Sequence, residues 1–199
     1  MSELSLNEVE ALALKVGRGA GFSWGLAEEV ARGARALARG GFPWAEALAC
    51  LARDAGIWQA PSLLRVEAWR ERRPEIESTA PLCPVCTAAL LIDDPSILSG
   101  RSLRLTNVGL PLWIAALLAA SGMDFEAEWP DASADGLTPT ADVAIRPRVA
   151  PRAQTPPRRR SCADEAILAT LGAVAARVYV PASESSRAKG AGGGSVDDE

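Results

Sequence analysis

The chain contains no histidine, and this absence limits the chemistry that it can perform. Histidine is the usual general base near neutral pH and the commonest metal ligand in proteins. A Ser-His-Asp or Cys-His catalytic group therefore cannot be built from this chain alone. Lysine is almost as scarce, with only Lys15 and Lys189, so a Schiff-base mechanism has few candidate residues.

The sequence also lacks a long hydrophobic run. Its longest, "VGLPLWIAALLAA" at residues 108–120, spans about 13 residues, whereas a membrane-spanning helix needs about 20. The first residues, "MSELSLNEVEAL", have neither the basic region nor the continuous apolar stretch of a secretory signal. These absences predict a cytoplasmic protein with no membrane partner.

Excess basic charge is missing as well, because the formal net charge is -4. Binding a polyanion requires a net basic face, so we expect no nucleic-acid partner. Hydrophobic residues make up 48% of the chain and charged residues 23%, which is typical of folded proteins. A chain of 199 residues with this composition is expected to form a single domain with its own core.

Helical patterns fill the first third of the chain. Ser5 and Glu8 have the spacing of a capping box, and apolar residues then recur at helical intervals. Ser23 is predicted to cap a second helix. A third helix is expected to begin with Pro43 at its first position and to end at Gly56.

After about residue 63 the pattern changes to that of strands. The stretches "LLRVEAW", "RSLRLTN", "DFEAEW" and "ADVAIRPR" alternate apolar and polar residues, as half-buried strands do. The apolar residues 110–120 lie between two of these stretches and predict a helix packed on the sheet, in a β-α-β-β order. Prolines and arginines in residues 146–160 predict an extended loop, and "ADEAILATLGAVAARV" predicts a final helix.

These patterns predict an α+β fold, with an N-terminal helical layer packed on a small mixed or antiparallel sheet. A C-terminal helix is followed by a glycine-rich polar segment. Within the single domain, residues 1–199, the predicted parts are a helical subdomain (1–57), a sheet with one helix (63–149), a Pro/Arg-rich loop (150–160), a C-terminal helix (161–180) and the glycine-rich polar end (181–199).

The motif "LCPVC" places Cys83 and Cys86 at the spacing of a zinc knuckle or a redox pair. A structural zinc site needs four ligands, and the remaining Cys50 and Cys162 are far apart in the sequence. A redox pair is expected to open a helix, whereas this segment is predicted to lead into a strand. Ordinary half-buried thiols are therefore the preferred interpretation over zinc binding or redox chemistry.

Two glycine-rich stretches could form a binding site. In "GAGFSWGLAEE", residues 19–29, glycines and aromatic residues precede a helix start, which suits either an anion site or a turn between helices. The last stretch, "YVPASESSRAKGAGGGSVDDE", is dense in hydroxyl and charged groups, which suits either a small-molecule pocket or a flexible acidic tail. Its glycines lack the Lys-Ser/Thr ending of a phosphate-binding loop.

Four stretches share one family pattern, namely "NEVEALALKVGRGAGFSWGLAEEV", "LCPVCTAALLIDD", "RSLRLTNVGLPLWI" and "YVPASESSRAKGAGGGSVDDE". Together they resemble DUF3726, a bacterial family of unknown function whose members have about this length. The resemblance implies a single unit that includes both glycine-rich ends, and it implies no activity. It includes only the first cysteine of "LCPVC", and Lys189 departs from the family's pattern, which usually has a small apolar residue at this position.

Taken together, the sequence suggests a small-molecule-binding protein or an accessory subunit in bacterial metabolism. The alternative is a metal-independent enzyme that acts on a small polar metabolite through Glu28, Cys83 or Ser183, oriented by Arg187. The perturbed pKa and burial of Glu28 or Cys83 would favour the enzyme, and a large exposed apolar patch would favour the subunit.

We expect no cofactor and no metal. The expected partners are a small polar metabolite, and another protein or a second copy of the chain. We also expect residues 183–194 to fold back towards the "GAGFSWGLAEE" turn and to complete one polar pocket. The candidate ligand-binding residues are Trp24, Glu28, Cys83, Ser183, Ser186, Arg187, Gly190 and Gly192.

Overall fold

The computed structural model describes residues 1–58, 75–76, 80–98, 102–130, 137–148 and 158–179. The predicted strand "LLRVEAW" and most of the predicted loop at 150–160 lie outside these residues. The glycine-rich polar end lies outside them too, together with its candidate residues Ser183, Ser186, Arg187, Gly190 and Gly192. The described part has the expected α+β fold, with N-terminal helices followed by a sheet.

The N-terminal layer consists of α1 (Leu6–Gly19), α2 (Trp24–Gly40) and α3 (Trp44–Asp54). The predicted capping box opens α1. The Ser5 hydroxyl accepts from the Glu8 backbone N–H at 3.3 Å, and the Glu8 carboxylate accepts from the Ser5 N–H at 2.7 Å. Two donors that the start of a helix leaves unpaired are thereby satisfied.

The second and third helices begin close to the predicted positions. Ser23 caps α2, which ends at Gly41 in the left-handed conformation with φ of 80°. Pro43, predicted as the first residue of α3, is instead its N-cap residue.

The sheet is mixed and has the strand order β2-β3-β5-β4, with β2 parallel to β3 and the other pairs antiparallel. Helix α5 (Leu112–Ala120) connects β3 to β4, which confirms the β-α-β-β order predicted for this region. The strands are β2 (Glu75–Ile76), β3 (Leu103–Gly109), β4 (Phe125–Glu128) and β5 (Thr140–Pro147).

Strand register gives the sheet one apolar face and one polar face. Leu103 lies opposite Ile145 and Leu105 opposite Val143, and all four side chains are buried. Because side chains alternate along a strand, the residues between them point to the other face. That second face carries Arg104, together with the polar residues of β4 and β5.

Helix α5 lies in the core, as its apolar composition predicts. Trp113 and Leu117 are fully buried, and the helix contacts both α2 and β4. Gly33 in the middle of α2 allows this close packing. A β-carbon at Gly33 would lie 2.6 Å from the Trp113 ring, so only glycine fits there without movement of the ring.

The segment that contains the two neighbouring cysteines does not lead into a strand. Cys83 is the N-cap of helix α4 (Pro84–Asp93), and the prediction for this segment was therefore wrong. Proline is compatible with the first turn of a helix because its missing N–H would be unpaired there anyway. A short 3-10 helix, Pro95–Ile97, follows α4.

Two short strands join the beginning of the chain to its later part. Strand β1 (Ser2–Ser5) pairs antiparallel with β6 (Arg160–Ala163), so Arg160 belongs to a strand and not to the predicted loop. The other end of that loop was also misplaced, because Arg146 lies within β5. Helix α6 (Glu165–Ala175) confirms the predicted C-terminal helix and packs on α1.

Within the described residues, no helix is both long enough and apolar enough to cross a bilayer.

Candidate functional site

A cleft of about 420 Å³ lies on the polar face of the sheet. Its charged lining comes from three neighbouring strands, with Arg104 on β3, Asp142 and Arg146 on β5, and Glu128 on β4. Trp129, the residue after β4, completes the wall. Side chains alternate between the two faces along a strand. The four charged side chains therefore lie on the face opposite the buried residues of β3 and β5.

The charged residues of the cleft form two ion pairs across the strands. Arg104 Nη2 lies 3.1 Å from Asp142 Oδ2, and Arg146 Nη1 lies 3.2 Å from Glu128 Oε2. All four side chains are exposed. Exposed pairs of this kind contribute only about 0–1 kcal/mol each to stability.

Asp142 also has a structural task. Its Oδ1 accepts the Asn107 backbone N–H at 3.1 Å, at the irregularity in the β3–β5 pairing where Asn107 has φ of 54°. This backbone hydrogen bond, and after it the hydrogen bond from Arg104, holds the pKa of Asp142 below its ordinary value. The Asp142 carboxylate therefore stays ionised and fixed in position, with Arg104 beside it.

Trp129 brings an unsatisfied donor to the cleft. In the described part of the chain its indole Nε1 is buried without a hydrogen-bond partner. A buried donor left unpaired costs about 1–3 kcal/mol. An acceptor placed near the ring would offset this cost.

Glu28 lies in a different groove, of about 410 Å³, between α1 and α2. Glu28 is exposed, and Asn7, Glu10 and Arg32 also line this groove. Arg35 ties the two helices together by donating to Asn7 Oδ1 and Glu10 Oε2, both at 2.7 Å. The polar groups of this groove therefore form its surface, and Asn7 and Glu10 also hold the two helices together.

The "GAGFSWGLAEE" turn divides its aromatic residues between core and surface. Phe22 is buried, whereas Trp24 is 62% exposed. The Arg18 guanidinium lies over the Trp24 ring, 4.6 Å from its centroid, in a cation–π contact. Gly21 has φ of 98°, a conformation that favours glycine in a tight turn.

Cys83 lies away from both grooves, at the start of α4, with 3% of its surface exposed. Cys86 is half-buried one turn further along, and its backbone N–H donates to Cys83 Sγ at 3.5 Å. The side chain of Cys86 lowers the pKa of Cys83 by hydrogen bonding, and backbone N–H groups of the first turn act in the same direction. The pKa of Cys86 is raised, chiefly by the same hydrogen bond and then by burial.

The candidate residues from the sequence are thus distributed over several places. Trp24 and Glu28 lie one turn apart on α2, and Cys83 opens α4. Sequence reasoning missed the cleft on the sheet, since its polar strand positions were interpreted only as the solvent side of an amphipathic strand. The available signal was the clustering of arginine and acid at alternate positions of neighbouring strands, as in "LRL" and "DVAIR".

Among the residues that the structure describes, no group of three or more cysteine or acidic side chains is arranged to hold a metal ion.

No curated protein and no solved structure matches the chain. A family described as "Protein of unknown function (DUF3726)" matches residues 4–87, which include α1 to α3 and both cysteines of the α4 start, but not the cleft on the sheet. This match supports the resemblance to the DUF3726 family over residues 4–87 of the chain.

Proposed function

We propose that the protein binds a small polar molecule in the cleft on the polar face of the sheet. The observation that carries the proposal is the combination of two exposed arginine–carboxylate pairs with Trp129 around a space of about 420 Å³. The Trp129 indole N–H has no hydrogen-bond partner among the described residues. Clefts with an aromatic wall and a few convergent polar groups are typical of small-molecule sites.

The arrangement of charges favours a ligand that carries both signs. A guanidinium binds a carboxylate bidentately, so Arg146 suits an anionic group. Glu128, released from Arg146, suits an ammonium group at the same end of the cleft. Trp129 adds a donor for a neutral or anionic oxygen. A zwitterion of the size of an α-amino acid meets these three requirements.

The two ion pairs differ in how readily they can open when a ligand binds. Asp142 is held by the Asn107 backbone, so the Arg104 pair is anchored at one end. Glu128 is the last residue of β4, and Arg146 is near the end of β5. We therefore place ligand exchange at the Arg146–Glu128 pair and a fixed electrostatic boundary at Arg104–Asp142.

A binding experiment tests the proposal directly. Isothermal titration calorimetry with the proteinogenic α-amino acids is compared with the corresponding amines and carboxylic acids, each of which lacks one charge. We expect at least one amino acid to bind, and to lose roughly tenfold or more in affinity when either charge is removed, because a good charged hydrogen bond is worth about 1.5–3 kcal/mol.

Arg146→Ala provides the variant for this experiment, and Arg160→Ala provides its matched control. Arg160 is also an exposed strand arginine in an ion pair, with Glu3 at 2.8 Å, but it belongs to the β1–β6 ladder. Binding should be lost in Arg146→Ala and kept in Arg160→Ala. Equal binding by both variants, or no binding by any compound of the panel, would contradict the proposal.

The alternative, a metal-independent enzyme, is favoured by one observation. The pKa of Cys83 is lowered at a helix start, as in many reactive thiols. Glu28, another candidate group for such an enzyme, is exposed in the groove between α1 and α2, and Cys83 is not among the residues that line this groove. A binding protein therefore accounts better for the described residues than an enzyme that combines these groups.

The accessory-subunit form of the hypothesis predicts an exposed apolar surface. Large hydrophobic side chains are exposed at Trp24, Phe42, Ile57 and Tyr179. Analytical ultracentrifugation of the wild type should reveal self-association if these residues form an interface between copies, and Trp24→Ser should then weaken it.

A further inference from the structure

The start of α4 places two cysteine sulfurs within reach of one another. Cys83 is the N-cap and Cys86 the third residue of the helix. Residues three apart on a helix have β-carbons roughly 5–6 Å apart, whereas a disulfide joins β-carbons roughly 3.5–4.5 Å apart. The Cys83 sulfur already lies over the first turn, because Cys83 Sγ accepts the Cys86 backbone N–H at 3.5 Å. A disulfide between them therefore requires side-chain rotation and an approach of the two β-carbons by about 1–2 Å.

The local backbone holds this geometry rigidly. Pro84 occupies the first helical position, where its ring fixes φ. Cys83 is extended, with φ of -62° and ψ of 117°, so its side chain turns back over the first turn. Thr87 donates its backbone N–H to the Cys83 carbonyl at 3.0 Å and is fully buried. The pair is thus part of a packed helix start.

The pair also distributes one proton over two sulfurs. The hydrogen bond between the side chains stabilises a thiolate on Cys83 and opposes a second thiolate on Cys86. Backbone N–H groups of Cys86 and Val85 add to the stabilisation of the Cys83 thiolate. Cys83 therefore carries the negative charge of the singly ionised pair, and it can accept the Cys86 proton when Cys86 reacts.

Burial assigns different roles to the two sulfurs. Cys83 is 3% exposed, which denies a dissolved reagent direct access, whereas Cys86 is only half-buried. Cys50 lies on α3 and Cys162 on β6, and both are free thiols. Cys86 is the sulfur that a reagent meets first, and Cys83 is the sulfur placed to resolve the product.

We propose that Cys83 and Cys86 form a dithiol–disulfide pair that exchanges with low-molecular-weight disulfides such as oxidised glutathione. This site lies on α4 and is separate from the cleft on the sheet. The proposal therefore does not depend on the proposed binding function.

The exchange consists of two displacements. The Cys83 thiolate takes the Cys86 proton as the Cys86 sulfur attacks one sulfur of the small disulfide, forming a mixed disulfide and expelling a small thiolate. This small thiolate then takes the proton from Cys83. The Cys83 thiolate then attacks the Cys86 sulfur, forming the internal disulfide and expelling the second small thiolate. Two protein sulfurs are oxidised and the two sulfurs of the small disulfide are reduced.

The experiment uses a full-length protein in which Cys50→Ser and Cys162→Ser leave only the pair. The protein is equilibrated in glutathione buffers from strongly reducing to strongly oxidising, quenched in acid, alkylated and digested with trypsin. Residues 73–101 form one peptide that contains both cysteines, because cleavage before Pro74 is disfavoured. Mass spectrometry should show this peptide with an internal disulfide and without glutathione in the oxidising buffers.

Two single variants test the assigned roles. Cys83→Ser removes the resolving sulfur, so Cys86 should accumulate a glutathione adduct, roughly tenfold above its level in the parent. Cys86→Ser leaves only the buried Cys83, which should accumulate little adduct. Serine is a good N-cap residue, so Cys83→Ser should keep the helix start, which circular dichroism checks.

Three outcomes would overturn the proposal. Two alkylatable thiols in the peptide across the whole buffer series would show that the pair does not exchange. Oxidation that occurs only after unfolding in urea would show that the folded helix start forbids it. A stable adduct on Cys83 in the Cys86→Ser variant, with none on Cys86 in the Cys83→Ser variant, would reverse the roles and contradict the access argument.

Discussion

At the scale of single residues, several polar atoms in the described core have no hydrogen-bond partner. The indole nitrogens of Trp44 and Trp113 and the hydroxyl of Thr87 are buried and unpaired within the described part of the chain. Each such atom costs free energy because it exchanges water for apolar neighbours. Burial of the apolar parts of these side chains stabilises the fold and offsets the cost of the unpaired polar atoms.

Thr87→Val tests this cost. Valine has nearly the same shape as threonine and lacks the hydroxyl, so we expect the free energy of unfolding to rise by about 1 kcal/mol. Thermal and urea unfolding both measure it. Thr170→Val is the control, because the Thr170 hydroxyl is exposed and donates to the Ala166 carbonyl at 3.0 Å. A loss of stability in Thr87→Val would indicate that the hydroxyl has a partner.

Asp142 predicts a dependence of stability on pH. Its pKa in the folded protein lies below the ordinary value of 3.8, because the Asn107 backbone and Arg104 favour the ionised form. The stabilisation is therefore fully present above pH 3.8 and is lost as the pH falls through the lower folded pKa. Asp142→Asn should lower the melting temperature above this window, and the two proteins should converge below it. A difference that persists unchanged at low pH would exclude the carboxylate as its cause.

At the scale of elements, what can be predicted from the sequence depends on how local the determining contacts are. The start of α1 is predictable because the side chains of Ser5 and Glu8 each accept a hydrogen bond from the other's backbone N–H within one turn. The start of α4 was missed because prolines on both sides of Cys83 suggested a break, although Pro84 fits a first helical position. Strands β3 to β5 follow from alternation, but the cleft depends on their register, which alternation alone leaves open.

Helix packing between α2 and α5 gives a prediction about glycine. Gly33→Ala should lower the free energy of unfolding by about 1–2 kcal/mol, since the new methyl group would overlap the Trp113 ring. Gly172→Ala is the matched control in α6, where a β-carbon would have no neighbour within 4 Å. It should raise stability by about 0.5–1 kcal/mol through helix propensity. Two variants with the same sign would contradict the packing argument.

The buried position of α5 gives a second prediction at this scale. Leu117→Asp should lower the free energy of unfolding by several kcal/mol, roughly 3–5, because it buries a charge without a partner. Ala119→Asp on the exposed side of the same helix should cost less than about 1 kcal/mol. Urea unfolding compares the two variants, and similar midpoints would place Leu117 at a surface.

At the scale of the whole molecule, the described chain ends beside the helix that carries the "GAGFSWGLAEE" turn. Lys15 Nζ lies 5.8 Å from the centroid of the Tyr179 ring, and Arg18 on the same helix covers Trp24. Tyr179, the last residue that the structure describes, therefore lies near α1. Residues 183–194 lie outside the described part of the chain, so their folding back towards the turn stays a prediction.

Deletion of residues 183–199 tests that prediction. If the segment folds back on the turn, the deletion should lower the melting temperature, and Arg187→Ala should reproduce part of the loss through its missing charge-assisted hydrogen bonds. Lys189→Ala is the control, because it removes one positive charge from the same segment. Full stability of the truncated protein would identify the segment as a free tail.

The ladder between β1 and β6 has a consequence for how the protein is made. It pairs Ser2 with Ala163, so the first strand has no partner until about 160 further residues have been synthesised. At about 5–20 residues per second, a ribosome needs roughly 10–30 s for this length. During that interval α1 and α2 can already pack on each other, because their contacts are local and form quickly. Strand β1 is thus among the last elements to find its place in the fold. Formation of the β1–β6 ladder joins the first residues of the described chain to its later part in a single step.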